Sequence, residues 1–235
     1  VRVYKHSVDS WTQIGQDIDG EAATDWSGRS SISLSSDGTI VAIGASGNDD
    51  SGSYAGHVRI YNYNGTAWNQ LGADIDGDAA GDISGSSVSL SSDGKTVAIG
   101  SSESDQNGEN SGLVKIYNYN GSSWTQLGNE INGQSAIDNS GYSVSLSSNG
   151  TVVAIGAPLN NGNGAQSGHV RIYSYNGSNW TQLGTDIDGE AAIDQSGYSV
   201  FLSSNGKRVA IGANKNDGNG TDSGHVRIYN YNGTS

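Results

Sequence analysis

The sequence predicts an all-β fold, a β-propeller of four-stranded antiparallel blades with about 56 residues per repeat. Three observations lead there. "WTQLG" or a variant begins at Trp11, Trp68, Trp124 and Trp180. "YNYNG" or "YSYNG" begins at Tyr61, Tyr117, Tyr173 and Tyr229, always 56 residues apart. Between these markers lie short alternating runs bounded by Asp-Gly and Asn-Gly, and no run carries a helical period. The 235 residues read as one array, with units of about 1–57, 58–113, 114–169 and 170–225, then an extra strand at 226–235.

Each unit holds four strand-like runs, shown by the third. Strand A, "SGYSVSLSSNG" (140–150), places Tyr142, Val144 and Leu146 on one face and Ser143 and Ser145 on the other, the pattern of a half-buried strand. Strand B, "TVVAIGAP" (151–158), is more continuously apolar, with Ala154, Gly156 and Ala157 small enough for another sheet to approach. Strand C, "GHVRIYSYNG" (168–177), alternates Val170 and Ile172 with Arg171 and Tyr173, and "WTQLGTDIDG" (180–189) is strand D. A and B are joined through Asp37-Gly38, Asp93-Gly94, Asn149-Gly150 and Asn205-Gly206. C and D are joined through Asn64-Gly65, Asn120-Gly121 and Asn176-Gly177. These dipeptides suit the positive φ angles of tight hairpins. The B–C and D–A links are longer and rich in Gly, Asp and Ser.

Composition excludes several classes. Only 33% of residues are apolar and the net charge is −13, values that suit disorder, but disorder has no use for regular alternation. There is no cysteine, hence no disulfide and no thiolate site. No apolar run approaches membrane-span length, and the negative charge argues against nucleic-acid partners. The chain starts at Val1, without initiator Met or signal peptide, which reads as a mature or trimmed segment. No HExxH, nucleophile elbow or phosphate loop occurs. Near-uniform units also argue against catalysis, which needs one unit to differ.

The run "WTQLG…DIDGEAAIDQSGYSVFLSSNGKRVAIGA…NDGNGTDSGHVRIY" resembles FG-GAP-type propeller repeats. It is most similar to the subclass found in tandem on secreted or surface proteins of microbes and algae, distantly like integrin α chains. The pattern is carried by Gly141-Tyr142-Ser143-Val144, Gly156-Ala157-Pro158 and Gly168, and the similarity covers all 235 residues. Ser27, Ser84, Ser140 and Ser196 stand where the family has an aromatic residue, and Pro158 is the one Pro. Members with a calcium loop carry "DxDGDGxxD" in the A–B turn, which here is only "SSDG" or "SSNG". The resemblance implies a non-catalytic extracellular propeller.

A lookalike of that loop sits between D and the next A: "DIDGEAATD" (17–25), "DIDGDAAGD" (74–82), "EINGQSAID" (130–138) and "DIDGEAAID" (186–194). Its acids are Asp17, Asp19, Glu21 and Asp25, then Asp74, Asp76, Asp78 and Asp82, then Glu130 and Asp138, then Asp186, Asp188, Glu190 and Asp194. The first, second and fourth sets are candidate calcium ligands, since calcium prefers several carboxylate and carbonyl oxygens. The other reading is a structural turn, in which the ninth-position Asp accepts backbone N–H groups. With the B–C loops, these loops hold every acid except Asp9, Asp37 and Asp93. Antiparallel pairing puts both loop types at one end of the sheets, so the acids gather on one face and attract cations or basic partners.

His57, His169 and His225 precede strand C, but Leu113 fills that slot in the second unit, so the His read as structural or surface residues. The repeated Trp and the strand C Tyr read as packing between blades, or as a sugar-binding platform. Trp26 breaks the repeat, since Ile83, Asn139 and Gln195 fill its slot, and is a candidate ligand contact. Sequons at Asn64, Asn120, Asn149, Asn176, Asn179, Asn219 and Asn232, mostly on turns, are candidate N-glycosylation sites. The extra strand C fits a segment of a longer array, or strand addition to a neighbouring molecule that builds a filament. The expected function is structural or adhesive, outside the cell or on its surface, through loop faces or end-to-end assembly. The expected partners are a surface protein, a glycan or a second copy. A carbohydrate-binding propeller is the alternative.

Overall fold

Strand B is the most apolar run of each unit, and it lies inside each sheet. The computed structural model describes residues 1–233. A first hairpin, β1 (Tyr4–Ser7) and β2 (Ser10–Gln13), has the C–D register. Three complete blades follow. The first is β3 (Ile32–Leu34), β4 (Ile40–Ala45), β5 (His57–Tyr63) and β6 (Trp68–Gln70), with β7 (Ile75–Asp76) also on β5. The second is β8 (Ser87–Leu90), β9 (Thr96–Ser101), β10 (Leu113–Tyr119) and β11 (Trp124–Gln126), with β12 (Ile131–Asn132) on β10. The third is β13 (Ser143–Leu146), β14 (Val152–Ala157), β15 (His169–Tyr175) and β16 (Trp180–Gln182), with β17 (Ile187–Asp188) on β15. Last come β18 (Ser196–Leu202), β19 (Arg208–Ala213) and β20 (His225–Asn230), an A–B–C sheet. The fold is an all-β, propeller-like array. No helix long and apolar enough to cross a membrane occurs among the described residues.

The core is the set of layers between blades. Ala42, Val58, Ile60 and Ile75 of the first blade pack on Val88, Leu90, Val97 and Ile99 of the second. The same arrangement recurs between later blades. Small residues set the spacing: a Cβ on Gly44 would lie 2.0 Å from the Gly85 carbonyl oxygen of the next blade.

Two features of the sequence reading change. Strand D is broken into two pieces, because at Gly72 the chain turns with φ of 81° and a Cβ would sit 2.9 Å from the Trp124 ring. Each D-strand indole reaches back to the preceding segment: Trp68, Trp124 and Trp180 donate Nε1–H to the carbonyls of Ile14 (2.9 Å), Leu71 (2.7 Å) and Leu127 (2.7 Å). Trp68 is 3% exposed, whereas Trp11 on β2 is 69% exposed. The rings are therefore inter-blade packing wherever a preceding blade is present.

Strand A, read as half-buried, is covered on both faces in the second and third blades, whereas Ile32 and Leu34 of β3 are exposed. Its serines bind the next A strand around the axis. Ser33, Ser89 and Ser145 hydroxyls accept the N–H of Leu90, Leu146 and Leu202, each at 2.9 Å. The A–B turns continue the chain of bonds, with Ser36, Ser92 and Ser148 N–H donating to Ser92, Ser148 and Ser204 carbonyls, again at 2.9 Å. Phe201 takes the serine slot on β18 and is 72% exposed.

The hairpin turns also differ from the expected form. Only the glycine of each Asp-Gly or Asn-Gly pair has positive φ, as at Gly38 (70°). The preceding side chain instead accepts the N–H two residues on: Asp37 Oδ1 takes Thr39 N–H at 3.0 Å, and Asn64 Oδ1 takes Thr66 N–H at 3.0 Å.

Two outcomes follow for stability. Trp68→Ala should lower stability by roughly 3–5 kcal/mol, and Trp11→Ala by no more than about 0.5 kcal/mol, read from urea midpoints. The Thr39 N–H, then the Ser35 and Thr39 hydroxyls, hold the Asp37 carboxyl below its ordinary value. Its stabilisation is complete above the ordinary carboxyl pKa and is lost as pH falls through the lower folded value. Asp37→Asn, with the residue that Asn149 and Asn205 already supply at that slot, should shrink the fall in urea midpoint between about pH 5 and pH 2.

Candidate ligand cleft and acidic loop face

The B–C and D–A loops are bonded to one another, so both lie at one end of the sheets. Ser51 Oγ–H donates to Gly77 O at 2.9 Å, and Asn107 and Asn163 Nδ2–H donate to Gly133 and Gly189 carbonyls at 2.8 Å. The strand C arginines add ties. Arg59, Arg171 and Arg227 donate to the carbonyls of Asp19 (2.7 Å), Asn132 (2.7 Å) and Asp188 (2.6 Å) in the loop before them. In the second blade Lys115 stands in this slot and pairs with Asp78.

This bonded frame holds a special pair of positions. Trp26, Ile83, Asn139 and Gln195 occupy one slot of the D–A loops, all with φ between 48° and 56°. Tyr54, Asn110, Gln166 and Asp222 occupy one slot of the B–C loops, with φ between 50° and 54°. Side chains other than glycine rarely adopt this region. It persists because the surrounding bonds over-determine it: Ile83, Asn139 and Gln195 N–H donate to Tyr54, Asn110 and Gln166 carbonyls at 3.0, 3.0 and 3.1 Å. The backbone is constant here while the side chains differ in every unit.

The four side chains of the first slot, with Tyr54 of the second, converge on a cleft of about 1050 Å³ at the loop end of the A strands. Trp26, Ile83, Asn139 and Gln195 line it, together with Arg29, Ser86, Tyr142 and Tyr198 from the slot three residues on. Trp26 and Tyr54 rings lie 5.4 Å apart, Tyr142 and Tyr198 rings 5.0 Å apart, and the Arg29 guanidinium sits 4.4 Å from the Trp26 ring centre. All four rings are partly exposed. Burial, and then hydrogen bonding with Tyr198, push the Tyr142 phenol up to about 12. Glu103 is the one carboxylate among the described residues that line the cleft. The sequence singles out Trp26 through its break in the repeat; the other cleft residues carry the same signal, four different residues at one phase.

The acidic loops behave otherwise. The ninth-position Asp25, Asp82, Asp138 and Asp194 are buried, and accept the N–H of Ala22 (2.8 Å), Ala79 (3.1 Å), Ser135 (2.9 Å) and Ala191 (3.1 Å). Asp17 pairs with Arg2 at 2.9 Å and Glu21 with Arg59 at 3.3 Å. Asp74 accepts from Gln70, Asp186 from Gln182 at 2.6 Å, and Glu190 pairs with Arg227 at 3.5 Å. Asp19, Asp76 and Asp188 are exposed. Several acids of one loop thus engage separate partners, while Asp74 and Asp76 of the loop 74–82 both lie close to His57. Acids also lie beside the histidines: His57 lies near Glu21 and Asp74, which come from different loops, His169 is 3.7 Å from Asp186, and His225 is 3.7 Å from Glu190. Burial, and then the Arg171 charge, hold the His169 imidazole below its ordinary value. The seven sequon asparagines are all exposed.

A second concavity of about 330 Å³ lies between the third blade and the last sheet, beside Leu183, Gly184, Tyr229 and Tyr231. Leu183 holds the slot of Ile14, Leu71 and Leu127, the residues whose carbonyls accept an indole N–H elsewhere.

No protein-family model matches the chain, and no curated protein matches it. Among solved structures it is similar to Kuenenia stuttgartiensis hydrazine synthase, with a TM-score of 0.53 and 14% identity, over 92% of this chain and 49% of that one. The chain thus spans about half the length of that structure, and the likeness is one of fold.

Proposed function

We propose that this chain is a non-catalytic binding propeller of FG-GAP type that works outside the cell or at its surface, in adhesion, by holding a glycan in the loop-end cleft. The observation that carries the reading is the cleft itself. It is open, presents four partly exposed aromatic rings, and sets Asn139, Gln195, Arg29 and Glu103 among them. Sugar rings offer apolar C–H faces to aromatic surfaces and hydroxyls to amide, guanidinium and carboxylate groups, which is the combination present. A single lining carboxylate supports binding rather than hydrolysis, since glycoside hydrolysis generally uses two. The family assignment is supported by the glycine-centred motifs around Gly141, Gly156 and Gly168, and the extracellular setting by the exposed sequons. A glycan array should return at least one bound oligosaccharide class, and Trp26→Ala should weaken it about tenfold or more, a loss of roughly 1.4 kcal/mol. Failure of every glycan, or full retention in a Trp26→Ala, Tyr54→Ala double variant, ends this reading.

End-to-end assembly is a second reading with its own support. Trp11 is an exposed indole on a C–D hairpin, and the groove beside Leu183 matches the sockets that hold Trp68, Trp124 and Trp180. A Trp11 of one copy seated beside Leu183 of another would repeat the internal contact. Sedimentation velocity over a concentration series should show association that Trp11→Ala abolishes; a monomer at every concentration rejects the idea.

A further inference from the structure

Glu21, Asp50, His57, Asp74 and Asp76 come from four separate segments: the loop after β2, the loop between β4 and β5, the start of β5, and the stretch from the β6–β7 link through β7. His57 is fully buried, at 0% exposure. Both of its ring nitrogens lack a hydrogen-bond partner. Nδ1 faces acids on two sides, 3.9 Å from Glu21 Oε2 and 3.8 Å from Asp74 Oδ2. Neither distance is a hydrogen bond. In each of two triads, Glu21–Asp50–His57 and His57–Asp74–Asp76, one ligand atom per residue lies within 4.8 Å of the others.

A buried imidazole with no partner is costly, and carboxylates crowded around it repel one another. One divalent cation relieves both. We propose that His57, with these flanking carboxylates, forms a binding site for a borderline first-row divalent cation of the Zn²⁺ class, one per chain. The donor set decides the class. Calcium takes oxygen ligands, whereas an imidazole nitrogen among carboxylates suits zinc and its neighbours. Zinc bonds of roughly 2.0–2.2 Å place ligand atoms closer together than the cluster holds them. Glu21, Asp50 and Asp76 are exposed side chains that can turn inward, Asp50 by giving up its 3.3 Å bond from Asn48 Nδ2–H, while His57 is the fixed member. The second oxygen of Glu21 stays with Arg59 at 3.3 Å.

The other units mark this site as singular. In the second, Leu113 holds the histidine slot. In the third, His169 keeps Asp186 at 3.7 Å, but Gln134 stands in the slot of Glu21 and Gly162 in that of Asp50. The last unit has His225 and Glu190 at 3.7 Å, with Gly218 in the slot of Asp50. The proposal does not rest on the glycan cleft, which is lined by other residues.

The units also supply substitutions that the fold already accepts. Leu113 is buried in the histidine slot at 1% exposure, and Asn132 sits in the slot of Asp76. Zn²⁺ titrated into chelator-treated protein, followed by calorimetry and by melting temperature, should show about one site per chain of micromolar affinity and a raised melting temperature. His57→Leu and Asp76→Asn should each weaken binding about tenfold or more, and His169→Leu should leave it unchanged. Ca²⁺ in large excess should not displace Zn²⁺. The proposal is overturned if the wild type takes up no Zn²⁺, if His57→Leu binds it as well as wild type, or if Ca²⁺ competes equally at that site.

Discussion

The contact between neighbouring sheets is what the rest of this structure depends on. Each sheet is apolar on both faces and can bury neither alone, so stability comes from stacking. The stack is specified by three devices at fixed phase. An indole reaches back to a carbonyl of the preceding blade, a strand A serine accepts an N–H from the next, and a glycine on strand B leaves room for the next backbone to close in. Each device acts between residues of adjacent units, so the 56-residue period is itself a structural requirement. Where one side has no neighbour, as at Trp11 and Phe201, the same slots are exposed.

That rigid stack permits variation at the loop end. The slots of Trp26 and Tyr54 keep one unusual backbone conformation in every unit, held by bonds between blades, while their side chains change freely. A symmetric frame thereby carries an asymmetric set of groups around one cleft. Binding sites are commonly built so, with a scaffold that fixes position and loops that supply chemistry.

The acids show how one motif serves different ends. The last Asp of each loop is spent on its own turn. The earlier acids are divided among arginine, lysine, glutamine and histidine partners, some on their own C–D hairpin, as Gln70 and Gln182, and some in the next unit, as Arg59 and Arg227. Among the described residues, only around His57 do several carboxylates from different loops face a buried group that has no partner of its own.

Much of the fold was legible in the residues. Alternation marked strands A and C, the apolar run marked B, and Asp-Gly or Asn-Gly marked the hairpins, because strand pleat and turn chemistry are local properties. The break in strand D was not legible, since it arises where the indole of another blade crosses Gly72. The coverage of strand A on both faces in the second and third blades was not legible, since serine reads as solvent-facing until a neighbour's N–H is found for it. Trp26 was visible as a break in the repeat, but its cleft partners were not, being scattered over four units. The sequence by itself determined the A–B–C–D order of the strand segments in each unit and the end at which the acids gather. Only the tertiary structure decided which indoles are buried, which acids meet His57, and which side chains share a cleft. Those outcomes depend on distances between residues far apart along the chain, and no local pattern carries that information.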